Sequence, residues 1–270
     1  MSELLLLVFA LATTGAFAGL IAGLFGIGGG VVMVPAMYYV FQALGYTDDR
    51  IMHVAVGTSL AVIVATSLRS VSAHAKLKAV DFDILRKWVP WIMIGTLLGT
   101  VVADYTPGTV LTGLFGGMAL ILSLQFFFGR PDWTLREDMP DGVTRFGLGG
   151  FIGGLSAMMG IGGGVFGVTL MTLCGKTIHK AVATAAGFGV AIGLPGAMGY
   201  IANGWGKDIV PYSLGYVNLP GFVLLAGSAF FVAPIGARLA HSLPADQLKR
   251  FFAVGLVVVG VMMVRKAFMA

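Results

Sequence analysis

Charge is what this chain has least of. Only 11% of its 270 residues are Asp, Glu, Lys or Arg, against about 25% in an ordinary soluble domain. A soluble fold that poor in charge would expose broad apolar patches and aggregate through them. Cysteine is nearly missing: Cys174 stands alone, which excludes an internal disulfide framework and a cysteine metal centre. The sequence has no Gly-x-Ser-x-Gly elbow, no His-Glu-x-x-His helix and no paired aspartates inside an apolar run. An intramembrane enzyme would need one of these, so no enzymatic activity, cofactor or metal ion is expected. Carboxylates are also absent from the middle of every apolar run. Asp48, Asp49, Asp81, Asp83, Asp104, Glu137, Asp138, Asp141, Asp208 and Asp246 fall in loops or at run ends. Proton coupling would then need histidine or a proton carried on the substrate, and sodium coupling would need backbone and hydroxyl oxygens.

What is present is apolar length. Hydrophobic residues make up 57% of the chain and the mean hydropathy is +0.93. Runs long enough to cross a hydrocarbon core of ~30 Å lie at 4–24, 51–73, 84–103, 108–128, 178–201, 213–240 and 246–268. Shorter runs lie at 31–44, 146–158 and 165–174. The expected fold class is all-α, a polytopic helical membrane protein whose first partner is the lipid bilayer. The net charge of +5 sits in short loops and reads as orientation by the positive-inside rule, not as nucleic-acid binding. Leu4–Ala12 before Ala16-Phe17-Ala18 resembles a signal peptide, but Met1-Ser2-Glu3 lacks the positive charge such segments carry. The start is read as a membrane helix. Trp88, Trp91 and Trp205 lie near run ends and read as interfacial anchors.

The chain repeats itself. Gly26-Ile-Gly28-Gly29-Gly30 recurs as Gly160-Ile-Gly162-Gly163-Gly164, an offset of 134 residues. His53, Thr58 and Ser59 then lie over His179, Thr184 and Ala185, and Gly99 and Pro107 over Gly236 and Pro244. Three matches in one order imply duplication: a first transmembrane repeat at 1–130, a linker loop at 131–145 and a second repeat at 146–270. Each repeat holds one glycine-broken segment followed by three spans. Secondary transporters are often built this way, with the substrate site at the repeat interface. If each broken segment crosses once, Lys and Arg divide 11 to 6 of the 17 and the halves are parallel. If each is a hairpin returning to its own side, the division is 13 to 4 and the halves are inverted. The sharper division favours inversion.

Three consecutive glycines should break a membrane helix. The freed backbone groups must then face protein, ion or water rather than lipid. Val31 and Val165 would begin new half-helices, whose first N–H groups and positive dipole end form an anion site without any lysine. The candidate substrate-binding residues are therefore Gly26, Gly28, Gly29, Gly30, Gly160, Gly162, Gly163 and Gly164, with Thr58, Ser59 and Thr184 as hydroxyl partners. Tight helix packing is the competing role for such glycines, as at Gly19-x-x-x-Gly23. The hydroxyls could equally bond carbonyls of their own or a neighbouring helix. His53 and His179, at helix starts, and Arg69, near the end of its span, are candidate proton or substrate contacts. Interfacial or snorkelling roles compete. Pro195, between Gly193 and Gly196, reads as a kink.

Gly19-Leu-Ile-Ala-Gly-Leu-Phe-Gly-Ile-Gly-Gly-Gly-Val-Val-Met-Val-Pro35, His53-Val-Ala-Val-Gly-Thr-Ser59 and the second Gly160-Ile-Gly-Gly-Gly164 resemble the TauE/SafE sulfite exporter-like permease family over nearly the whole chain. The resemblance implies a multi-pass permease of the bacterial inner membrane, moving sulfite, a sulfonate, sulfoacetate or a related small organic anion. An anion channel using the same amides is the alternative, and a homo-oligomer stays open. Within the chain, Pro35 gives way to Thr169 and Ser59 to Ala185, so the two half-sites are not expected to bind equally.

Overall fold

A computed structural model describes residues 2–25, 28–128, 134–239 and 245–269; Gly26 and Pro244 lie outside them. The described residues form ten helices: α1 Ser2–Phe25, α2 Gly30–Ala43, α3 Ile51–Lys76, α4 Phe82–Asp104, α5 Gly108–Phe128, α6 Gly142–Met159, α7 Gly164–Leu173, α8 Ile178–Asn203, α9 Leu219–Leu239 and α10 Ala245–Met269. Five of these helices, α1, α3, α5, α8 and α9, are long and apolar enough over 18 residues or more to cross a bilayer. The chain is an all-α polytopic membrane protein. The apolar runs of the sequence become helices almost residue for residue. One differs: the run at 213–240 begins with a two-stranded hairpin, Ser213–Leu214 paired with Val217–Asn218, and α9 starts only after it. Gly215, at φ +57°, makes the turn, and Asn218 Oδ1 accepts the Gly221 N–H at 2.9 Å, capping α9.

Loops gather at two ends. At one, Asp49 caps α5 by accepting from the Gly108 and Thr109 N–H groups at 2.7 and 3.0 Å. There Asp104 pairs with Lys207 at 2.9 Å and with Arg50 at 3.3 Å. At the other, the basic end, Lys180 pairs with Asp81 at 2.8 Å and Lys176 with Asp138 at 3.5 Å. The Leu135 N–H bonds the Leu173 carbonyl at 2.8 Å, so the chain just before α6 meets the end of α7. The pair α6–α7 is thus a hairpin that leaves and returns at the basic end.

Helices from the two parts of the chain interleave. The closest pairs are α1 with α9, α4 with α6, α5 with α10 and α3 with α8. Glycine permits main chain to touch main chain. A Cβ on Gly95 would fall 2.6 Å from the Gly150 Cα, and one on Gly19 2.6 Å from the Ala229 Cα. The registers give direction. Gly15 meets Leu225 and Gly19 meets Ala229, so α1 and α9 run parallel, as do α4 and α6, where Gly95 meets Gly150 and Gly99 meets Gly154. By contrast α3 and α8 are antiparallel, with Gly57 against Tyr200, Gly193 against Leu60 and Gly189 against Ser67. The core lies around α3 and α8, where Met33, Met37, Leu60, Ile63, Phe115 and Phe188 are fully buried. Trp88 is buried there too, at 1% exposure, and does not anchor an interface; Trp205, 68% exposed, is placed where it could. Helix α8 continues through Pro195, whose flanking glycines admit Leu60 and Val64 of α3.

Candidate functional site: two glycine breaks at the centre

Both glycine runs break the helix. Gly28 and Gly29 take left-handed φ values of +78° and +79° before α2, and Gly160 and Gly163 take +67° and +44° on either side of the second break. A side chain is strained at such angles, which is why the sequence uses glycine here. All the described residues of the two runs are buried.

The two breaks touch each other. A Cβ on Gly28 would lie 3.5 Å from the Gly162 Cα, and one on Gly30 would strike the Gly160 carbonyl oxygen. Hydroxyls of α3 reach both. Ser59 Oγ donates to the Gly160 carbonyl at 2.9 Å, and Thr66 Oγ1 lies 3.3 Å from the Gly28 carbonyl oxygen and equally from the Val62 and Ile63 carbonyl oxygens of its own helix. In hydrocarbon the carbonyls of the breaks would otherwise be costly. Packing is tight: a Cβ on Gly29 would fall 2.6 Å from the Ala18 carbonyl oxygen, and one on Gly163 would overlap Ile192 Cδ1. The second break satisfies some of its own amides, the Gly163 N–H bonding the Ile161 carbonyl at 2.9 Å and Gly164 bonding Gly162.

The remaining sequence-predicted residues do not gather at the breaks. Thr58 Oγ1 donates to the Val54 carbonyl at 2.7 Å and accepts the Asn218 N–H at 2.9 Å. Thr184 Oγ1 accepts the Asp81 N–H at 2.9 Å. Asn218 and Asp81 are the capping residues of α9 and α4, and Asp81 Oδ1 accepts the Ile84 N–H at 3.1 Å. Each threonine therefore pins the start of a helix, one at each end of the molecule. The competing carbonyl role is met by Thr58, which bonds Val54, and by Ser59, which bonds Gly160, while Thr58 and Thr184 each also accept a capping N–H. His53 is 1% exposed, its Nε2 lies 2.9 Å from the Ala103 carbonyl oxygen, and its ring faces Tyr216 at 5.3 Å. His179 is exposed at the basic end. Arg69 is exposed, its guanidinium 4.6 Å from the Phe230 ring centroid.

Two features escaped the sequence reading. At the end opposite the basic one, Arg50, Asp104, Lys207 and Tyr216 form one network. Tyr216 Oη donates to Asp104 at 3.1 Å and accepts from Lys207 at 3.1 Å and from Arg50. Although burial pulls the Lys207 ammonium down, its bonds to Asp104 and Tyr216 hold it above the ordinary lysine value. At the basic end a cavity of about 270 Å³ is lined by Asp81, Lys87, Trp88, Asp138, Arg145 and Lys176 among others. Burial raises the Asp81 carboxyl, but Lys180 and the Ile84 and Asp83 N–H groups outweigh it and hold the group below the usual carboxylate range. The division of Lys and Arg between two sides gives the loops that share an end, but not which of their side chains meet, so Arg50–Asp104 and Asp81–Lys180 could not be paired from sequence.

Spanning helices with two interrupted segments meeting at the centre are the architecture of secondary transporters, and the chain is a multi-pass membrane transporter handling a small substrate. The family model described as sulfite exporter TauE/SafE matches residues 11–263, and the chain belongs to that family. A probable membrane transporter protein of Haemophilus influenzae is 33% identical over 258 residues, covering 93% of this chain and 96% of that protein. Another, of Methanocaldococcus jannaschii, is 29% identical, covering 97% of each. The Bacillus subtilis probable membrane transporter protein YunE is 25% identical, covering 93% of this chain and 94% of its own. No solved structure gives a significant match.

Proposed function

We propose that the chain is a secondary transporter of a small sulfur-containing or organic anion, such as sulfite, a sulfonate or sulfoacetate, in a bacterial inner membrane. One observation carries the reading: the two breaks, 134 residues apart in sequence, meet face to face, Gly28 on Gly162 and Gly30 on Gly160. The starts of α2 and α7 converge there, and helix starts favour negative charge. Gly28, Gly29, Gly30, Gly160, Gly162, Gly163, Gly164 and Ser59 are the proposed contacts. Because the breaks are packed on each other, an anion reaches these amides only when α2 and α7 part. Such a closed centre suits a transporter that alternates between states better than an open channel. Inverted repeats fit the same reading, since α3 and α8, equivalent in the repeat, run antiparallel, and so do α5 and α10, where Gly113 meets Ala267 and Gly116 meets Val264.

Substitution of the glycines is a poor test, because a side chain at Gly29 or Gly163 would break packing whether or not an anion binds. Ligand-induced stabilisation of the intact protein is cleaner. At a hundred times its dissociation constant, a ligand of the native state adds about 2.7 kcal/mol. Thermal unfolding in detergent with sulfite, thiosulfate, sulfoacetate, taurine or acetate should show a rise with at least one anion and none with taurine's net-neutral zwitterion. Counterflow in proteoliposomes should then show trans-stimulation by the same anion. Absence of a rise with every anion would overturn the site, and uptake without trans-stimulation would point to a channel.

A further inference from the structure

Most buried helix hydroxyls among the described residues have a partner, with Ser156 of α6 one exception. Thr58, Thr96, Thr112 and Ser123 each bond a carbonyl three or four residues back in their own helix. Ser67 and Ser70 of α3 do not. Each is 1% exposed and each Oγ is without a hydrogen-bond partner among the described residues. A hydroxyl buried in that state is unfavourable, and it calls for water or a ligand that the packed protein does not supply.

Their position tells what that ligand is near. Ser59, Thr66, Ser70 and His74 recur at intervals of seven, four and four, which puts them on one face of α3, and Ser67 adjoins the same stripe. All five are buried. At the inner end of the stripe, Ser59 bonds the Gly160 carbonyl and Thr66 lies within 3.3 Å of the Gly28 carbonyl as well as of two carbonyls in its own helix. Ser67 sits against Gly189 of α8, where a Cβ would overlap its Oγ and would lie 3.7 Å from the Gly162 carbonyl oxygen. From there the stripe runs towards the last turn of α3, at the basic end. In the opposite direction the same face is apolar, with Met52 and Val56 buried, and that end carries the Arg50–Asp104–Lys207–Tyr216 network.

We propose that Thr66, Ser67 and Ser70 line a half-path, shut in this packed state and opened when α2 and α7 part, by which a small oxyanion passes between the glycine breaks and the basic end. The path rests on the transporter reading above and deepens it, by assigning residues outside the breaks and a side from which they are reached. Serine hydroxyls are donors on short side chains that can turn towards a passing oxyanion. They cost the path no fixed charge, so an anion is released as readily as it is held.

Cysteine accessibility tests this without knowledge of the natural substrate. In a Cys174→Ser background, Ser67→Cys and Ser70→Cys are made singly and reconstituted in liposomes, and orientation is fixed by a cleavable tag. Leu68→Cys, at a position 53% exposed on the outer face of the same helix, serves as the lipid-facing control. The probe is the membrane-impermeant sulfonatoethyl methanethiosulfonate, itself a small oxyanion. Added at the basic end, it should modify positions 67 and 70 at least tenfold faster than position 68. Its rate, relative to a free thiol in solution, should exceed that of the cationic trimethylammonium analogue. Modification of neither serine position, modification only from the opposite end, or preference for the cation would overturn the half-path. Either position decides if the other variant does not fold. Failure here, with anion-dependent stabilisation of the unmodified protein intact, would remove the path and leave the glycine site standing; loss of that stabilisation would remove the site itself.

Discussion

Helices α3 and α8 hold matching places in the two parts of the chain, lie against each other at the centre, and differ in what they offer. Along its inner face α3 presents Ser59, Thr66, Ser67 and Ser70; at an offset of 126 residues α8 presents Ala185, Ile192, Gly193 and Gly196. The glycines of α8 make room, admitting Leu60 and Val64, while Gly189 admits Ser67. One helix supplies polar groups and the other supplies the space beside them. Two helices of similar place thus differ in their interior faces, one polar and one small.

The strongest way to break this complementarity is to fill the space. Gly189→Leu drives a side chain into the Ser67 hydroxyl. Overpacking of this kind costs about 3 kcal/mol, or roughly ten degrees of melting temperature in a chain this size, readable by thermal unfolding in detergent. Less costly is removal of the threonine pins. Thr58→Val leaves the buried Asn218 N–H without its acceptor, for a loss of about 1–3 kcal/mol. Thr184→Val should cost less, because the Asp81 N–H is only partly buried. Equal losses would mean that the two pins do not differ as their burial says.

Acid unfolding sharpens the comparison further. The Asp81 carboxyl is held below its ordinary range, so its contribution is present above the unfolded carboxylate value and disappears as pH falls through the lowered folded one. Asp81→Asn keeps a capping oxygen and loses the charge facing Lys180. Its melting temperature should lie below the parent's near neutrality and fall less steeply below pH 4, so that the two converge in acid. Smallest in stability are Ser67→Ala and Ser70→Ala. Since neither hydroxyl has a partner among the described residues, their removal should leave the melting temperature unchanged or slightly raised, while anion counterflow drops. A clear loss of stability in both would argue that the serines are structural.

Much of this was legible beforehand because lipid imposes simple rules. Apolar length located the helices, and glycine triplets located the two breaks, since few other residues tolerate positive φ inside a membrane core. The start of α9 was missed because Val210, Val217 and the residues after them are as apolar as a span, and only Gly215 and Asn218 marked a turn and a cap. Thr58 and Thr184 stand out in the sequence pattern, yet their partners sit at the starts of helices from the other part of the chain, a relation that no local pattern encodes. Ser67 and Ser70 were overlooked for the opposite reason. A mid-helix serine normally closes a bond within its own turn, and only coordinates reveal that these two do not. The signal available was the spacing of Ser59, Thr66, Ser70 and His74 along one face.

Interleaving has a mechanical consequence. With α1 seated on α9 and α4 on α6, main chain against main chain, any swing of residues 1–130 against 146–270 would have to pull both seams apart at once. A movement that keeps both seams intact would instead have to act at the short helices beyond the glycines, α2 and α7, which pack chiefly against α3 and α8 and meet at the breaks.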